Sequence, residues 1–99
     1  MTEAQMVGVA KRWLGKHYPG WRCVKFVSPG HAGVPDDILL GPGGLLVFIE
    51  WKVVGGTVSP MQKRWHKWLR EKGHRVEVLY TLDRFYALVA EMNETAVPF

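Results

Sequence analysis

Residues 34 to 56, VPDDILLGPGGLLVFIEWKVVGG, constrain the fold more than any other stretch of the chain. Two apolar runs, 36 to 41 and 45 to 53, meet at Gly41-Pro42-Gly43-Gly44, and such a Gly/Pro cluster between β-forming runs is the chemistry of a tight reversal. An antiparallel hairpin follows. Apolar residues occupy consecutive positions from Leu45 to Ile49, so both faces of this strand need cover and both strands belong in the middle of a sheet. Yet Asp36 and Asp37 open the hairpin, and Glu50-Trp51-Lys52 closes it. Charge beside buried apolar surface is costly unless it is paired or holds a metal.

The flanking elements follow from periodicity and punctuation. Met6, Val9, Ala10, Trp13 and Leu14 recur at helical spacing behind Thr2-Glu3-Ala4-Gln5, a capping box with Thr2 as the cap; Gly15 and Pro19-Gly20 end that helix. Residues 22 to 27 are β-rich and predict a first strand, followed by a glycine-rich loop, Gly30-His31-Ala32-Gly33. Ser59-Pro60-Met61-Gln62 is a second helix start, with serine as cap and proline at the first helical position. On that helix Met61, Trp65, Trp68, Leu69 and Lys72 are predicted to share the inner face, with Lys63, Arg64, Lys67 and Arg70 outside. Gly73 stops it, residues 75 to 80 alternate as a half-buried strand should, and a last helix is expected over 83 to 92. The predicted order is α-β-β-β-α-β-α. A helix crossing between the third and fourth strands makes them parallel, giving a mixed four-stranded sheet flanked by helices, an α/β fold.

Ninety-nine residues suggest one domain, 1–99, that buries only roughly 60 to 65% of its unfolded surface. Hydrophobic residues make up 47% of the chain and five are tryptophan, so part of the apolar surface is a candidate subunit interface and a dimer is expected. Thirteen Lys/Arg against nine Asp/Glu give a net charge of +4, which favours an anionic partner such as nucleic acid. The single cysteine, Cys23, excludes an internal disulfide and fits a reducing compartment. No apolar run approaches the roughly 20 residues of a membrane span, and the N-terminus lacks an apolar secretory core, so a cytoplasmic protein is expected.

Alternation along the strand projects Glu50 and Lys52 from one face and Trp51 from the other. Pairing about the Gly41 to Gly44 turn brings Asp36, at the start of the partner strand, near the level of Glu50. Two carboxylates and an ammonium then meet at one end of the sheet. Hard oxygen ligands of this kind suit Mg²⁺ or Mn²⁺, which keep waters and bind phosphates. The chemistry such a group serves is phosphodiester hydrolysis: an ion on Asp36 and Glu50, with the Trp51 backbone carbonyl as a further ligand, polarises a phosphate oxygen, and Lys52 orients water or offsets developing charge.

Gly33-Val34-Pro35-Asp36 and Phe48-Ile49-Glu50-Trp51-Lys52 together resemble the Pro-Asp and Glu-x-Lys signature of the PD-(D/E)XK nuclease superfamily, and more narrowly the virus-type replication-repair nuclease domain, VRR-Nuc. Lys25-Phe26-Val27-Ser28-Pro29-Gly30 before the motif, and the Gly-Gly-x-x-Ser-x-x-Gln stretch from Gly55 to Gln62 after it, are similar to those of stand-alone phage and bacterial members. The resemblance spans Glu3 to about Tyr80. It implies a restriction-endonuclease-like core and a Mg²⁺- or Mn²⁺-dependent DNA endonuclease, acting as a homodimer on branched DNA such as Holliday junctions in a bacterial or phage-infected cell. It further implies Asp36 and Glu50 as metal ligands, Lys52 as the catalytic lysine, Glu3 as the first-helix glutamate and Gln62 as the helix glutamine beside the site. Two positions depart from the pattern: Trp51 stands where a smaller aliphatic residue is usual, and Asp37 where a basic or apolar one is.

Each of these residues also has a plainer reading. Asp36 suits a turn, Glu50 and Lys52 an ion pair, Glu3 the positive end of a helix, and Gln62 a capping box. Asp37 is expected to point away from Asp36 as a solvated or salt-bridged residue. Lys63, Arg64, Lys67 and Arg70 are candidate DNA contacts or simply a solvated helix face. His17, His31, His66 and His74 show no paired spacing for zinc and are expected at the surface, with His31 placed by its glycine neighbours as a candidate phosphate contact. Trp65 and Trp68 are expected to pack in the core or an interface. The alternative functions are a non-catalytic nucleic-acid-binding module, a flap nuclease or exonuclease of the same superfamily, and a protein-interaction domain.

Overall fold

The computed structural model describes residues 1–95. The elements are α1 (Glu3–His17), β1 (Arg22–Lys25), β2 (Asp37–Gly41), a 3₁₀ turn (Pro42–Gly44), β3 (Leu45–Trp51), α2 (Pro60–Glu71), β4 (Arg75–Leu79) and α3 (Leu82–Thr95). They occur in the order expected from the sequence. β1, β2 and β3 pair antiparallel in succession, and β4 adds parallel to β3 through the α2 crossover. The hairpin register pairs Gly41 with Leu45 and Asp37 with Ile49, so the acidic end lies opposite the turn. Gly41 sits where a Cβ would come within 2.9 Å of the Trp21 ring, and Gly43 takes φ 73°, which together explain why the reversal is built from glycine.

Several boundaries differ from those predicted. β1 stops at Lys25 rather than at 27, β2 starts at Asp37 rather than at 36, β3 stops at Trp51 rather than at 53, and α3 runs beyond the expected 83 to 92 at both ends. Asp36 occupies a bend just ahead of β2, although its carbonyl still accepts from Phe26 N–H at 2.9 Å. Lys52, one residue past β3, still donates its N–H to the Leu79 carbonyl. The backbone thus stays tied at both points while the side chains are released from the pleat.

Helices cover the sheet on both faces, and the two cores are unequal. α1 and α3 lie over Leu39, Val47, Ile49 and Trp51, where Met6, Ala10, Leu14, Phe85, Leu88 and Val89 complete a continuous buried cluster. α2 covers the opposite face through Leu69, packed with Phe48 and Val76 and flanked by Phe26 and Ile38. Trp51 is accommodated within the larger core, 5.2 Å from Phe85 between ring centroids. α2 is turned differently from the expectation: its buried residues are His66 and Leu69, whereas Met61 and Trp68 are about half exposed. Gln62, His66 and Leu69 follow the i, i+4, i+7 stripe, so the helix presents two polar side chains to the end of the sheet where Glu50 waits for partners.

Candidate active site

Glu50 is the most deeply buried charged side chain, with no exposure to solvent. Pairing of β3 between β2 and β4 turns it toward α2, where Gln62 Nε2 donates to its Oε2 at 3.2 Å and His66 Nε2 shares a hydrogen bond with its Oε1 at 3.2 Å. Gln62 serves two purposes at once. Its Oε1 accepts from Ser59 N–H at 2.8 Å, closing the capping box, while its amino group holds Glu50. The capping and site readings of this residue are therefore compatible.

Asp36 lies on the β2 side of Glu50 and acts on its carboxyl group. Burial above all, and then Asp36, push the Glu50 carboxyl up to about 8; Lys52 acts in the opposite sense and Glu3 adds repulsion. Asp36 Oδ2 accepts from the Trp51 N–H at 2.9 Å. In an extended strand the N–H and C=O of one residue project to the same side, so the Trp51 carbonyl faces this same end of the sheet. His66 is held below the usual imidazole range, chiefly by burial and then by the Arg70 charge.

A second network lies behind the first. Asp37, only 3% exposed, accepts from the Trp51 indole Nε1 at 2.6 Å and pairs with Lys11 of α1 at 3.1 Å. It is thus salt-bridged but not solvated, which settles one of its two expected states. Trp51 links the networks, its backbone N–H on Asp36 and its ring N–H on Asp37. A cleft of about 400 Å³ opens here between α1 and the start of β2, lined by Glu3, Lys11, Lys25, Asp36, Asp37 and Trp51 among others. Gly33 brings the preceding loop against α2: its φ is +92° and a Cβ would come within 2.8 Å of the Met61 backbone, so glycine alone fits two residues before Pro35-Asp36.

The remaining candidates divide. Glu3 is exposed in the first turn of α1 and reaches the site only through space. Lys63, Arg64, Lys67 and Arg70 are exposed on α2, but Arg70 also donates to the Val76 carbonyl at 2.8 Å and Lys67 lies 3.8 Å from Glu71. His31 is bonded to Ser28 and set against the Trp65 ring. His66, expected at the surface, is instead buried on Glu50, and the sequence did carry a signal for it: it stands four residues after Gln62 on the same helix, one turn along the same face. Trp68 is half exposed rather than packed in a core.

The donor set fits a hard dication. The carboxylates of Asp36 and Glu50 form an oxygen-rich end of the sheet, with hydrogen-bonding support behind Glu50. Among the described residues no group of three or more His, Cys, Asp or Glu that could hold a metal ion is found.

A mixed four-stranded sheet with helices on both faces, in this element order, has the PD-(D/E)XK type of core fold. The comparisons narrow it. One solved structure, described as a VRR_NUC domain, matches with a TM-score of 0.78 and 26% identity over 89% of this chain and 94% of its own. Another, a VRR_NUC domain protein, shares the fold with a TM-score of 0.70 and 20% identity over 91% of this chain and 86% of its own. Among curated proteins, "Putative nuclease p44" of Acyrthosiphon pisum secondary endosymbiont phage 1 is 46% identical over 59 residues. That match takes in 60% of this chain and 63% of the phage protein's length. No family model matches. The chain shares its fold with these VRR_NUC domain structures and part of its sequence with the phage protein.

Proposed function

We propose that this domain is a nuclease that hydrolyses DNA phosphodiester bonds with Mg²⁺ or Mn²⁺, acting as an endonuclease on branched DNA in the manner of a Holliday-junction resolvase. The observation that carries the reading is the pairing of a fully buried Glu50, gripped by Gln62 and His66, with Asp36 across the end of the sheet. A likeness to a phage protein named as a nuclease supports it. Asp36 and Glu50 hold the ion, with the Trp51 carbonyl and Glu3 contributing from the strand end and from α1. When bound, the dication supplies Lewis-acid polarisation of the scissile phosphate.

The chain's own groups do the rest. Gln62 and His66 fix the Glu50 carboxylate so that it need not reorganise as substrate arrives. The Trp51 N–H orients Asp36. Lys52, whose charge already acts on Glu50, faces the phosphate, positions the attacking water and offsets the negative charge that grows during displacement. Lys63, Arg64 and Lys67 attract the phosphate backbone, with Arg70 divided between that role and its strut to β4. Cutting two strands of a junction calls for two such sites, hence a homodimer.

The test incubates purified protein with labelled four-way junctions, forks and flaps, with and without Mn²⁺. Cleavage should require the ion and vanish in Asp36→Asn and Lys52→Ala while DNA binding survives. Undiminished cutting by those variants removes the assigned roles. Salt-sensitive binding without cleavage favours a binding module, and trimming from free ends an exonuclease.

A further inference from the structure

The flank of α2 that was predicted to be buried is open. Trp68 is 50% and Met61 49% exposed, and Trp65 lies between them along the same edge of the helix. Isolated exposed leucines need no explanation, but a half-bare tryptophan beside a second one does. The cluster is orientated rather than loose. Trp65 Nε1 donates to the Ala32 carbonyl at 3.1 Å, its ring meets His31 and Trp68 edge to face, each at 5.9 Å between centroids, and Lys72 Nζ stands 5.8 Å over the Trp68 ring. Arg64, Trp65 and Trp68 bound a shallow recess of about 270 Å³.

Two observations select the occupant. The charges at the rim, Arg64 and Lys72, are cationic, and the nearby carboxylate on this helix, Glu71, faces Lys67. The rings offer flat faces to something equally flat. An anionic, planar, repeating ligand satisfies both, and duplex DNA does not, because its base faces are already stacked. We propose that Trp65 and Trp68, rimmed by Arg64 and Lys72, form a stacking platform for an unpaired nucleobase of a single DNA strand. This rests on the DNA-directed reading above and specifies its substrate. Trp65 and Trp68 lie about 4.5 and 9 Å along the helix axis from Gln62, which holds Glu50, so the unpaired nucleotide flanks the phosphate presented to the carboxylates.

The test needs no cleavage. With EDTA present, labelled oligo(dT) and a blunt duplex of equal length are titrated with wild type, Trp68→Ala and Trp68→Phe. Trp68 lies at the surface, so both variants retain the fold. Trp68→Ala should weaken single-strand binding by about 5- to 150-fold and leave duplex affinity unchanged, while Trp68→Phe keeps most of it. Wild type should quench its tryptophan emission on oligo(dT) more than Trp68→Ala does. Equal weakening on both DNAs, unchanged single-strand affinity, or no single-strand binding by wild type overturns the platform. So does concentration-dependent self-association that Trp68→Ala abolishes, since a second copy then covers the patch. Loss of the platform leaves Mn²⁺-dependent cleavage to be judged separately, and absence of cleavage with stacking intact refutes only the nuclease reading.

Discussion

Asp37 was expected to be solvated or salt-bridged, and its burial is made tolerable by two groups distant in the chain, Lys11 and the Trp51 indole. Removing the carboxylate strands a buried indole N–H and leaves the Lys11 charge unpaired. Asp37→Ala should therefore cost about 1–3 kcal/mol in urea unfolding. Trp51→Phe should couple to it, the double variant losing less than the sum of the singles. Glu50 gives a pH signature. Without a divalent ion its carboxyl keeps its proton up to about 8 when folded but only to about 4.5 when unfolded, so the folded state binds more protons between these values. Stability from this group is full below the lower value and is lost as pH rises through the upper one. Urea midpoints in chelator should fall across that window, and Mg²⁺ should flatten the decline if the ionised carboxylate is its ligand, as proposed; an unchanged profile in both would refute it. The placement of Asp36 near Glu50 was legible because strand alternation and hairpin pairing are local rules. The fate of Asp37 was not, since no window of sequence contains its partners.

The two capping boxes are nearly identical in geometry, Thr2 with Gln5 on α1 and Ser59 with Gln62 on α2. Their consequences differ, because only Gln62 passes the constraint on to a buried carboxylate. Thr2→Ala and Ser59→Ala should each cost about 1 kcal/mol of stability. Only Ser59→Ala should also slow Mn²⁺-dependent cleavage, measured as kcat, since it loosens the start of α2 beneath Glu50. Helix starts and the Gly/Pro reversal could be read directly, being set by residues within one turn. The facing of α2 could not. Counting apolar positions turned Met61, Trp65 and Trp68 inward, whereas the residues that face the sheet beside Leu69 are the polar pair Gln62 and His66. A helix that serves a buried charge breaks the rule that apolar means inside.

Across the whole molecule the chain order and the parallel β3–β4 pairing were legible, because a crossover helix leaves few other arrangements. The imbalance between the two layers was not. Among the described residues twelve buried apolar side chains join α1 and α3 to the sheet, against three on the α2 side, where polar contacts to Glu50 make up part of the difference. α2 should then open before the rest of the fold. Native-state hydrogen exchange should show its amides protected by a smaller free energy than those of β3, and Mn²⁺ should narrow the gap. Equal protection in both elements would contradict this. The reversal at Pro42–Gly44 has a different use. It stands at the far end of the hairpin from Asp36, about 15 to 20 Å away along the strands, with Gly43 and Gly44 exposed and no atom near where a Gly44 side chain would begin. A graft between these two glycines, such as an affinity epitope or a fluorophore-bearing peptide, should lengthen the loop at slight entropic cost and leave Tm and turnover nearly as they were. The hairpin is in this sense a lever with a working end and a handle.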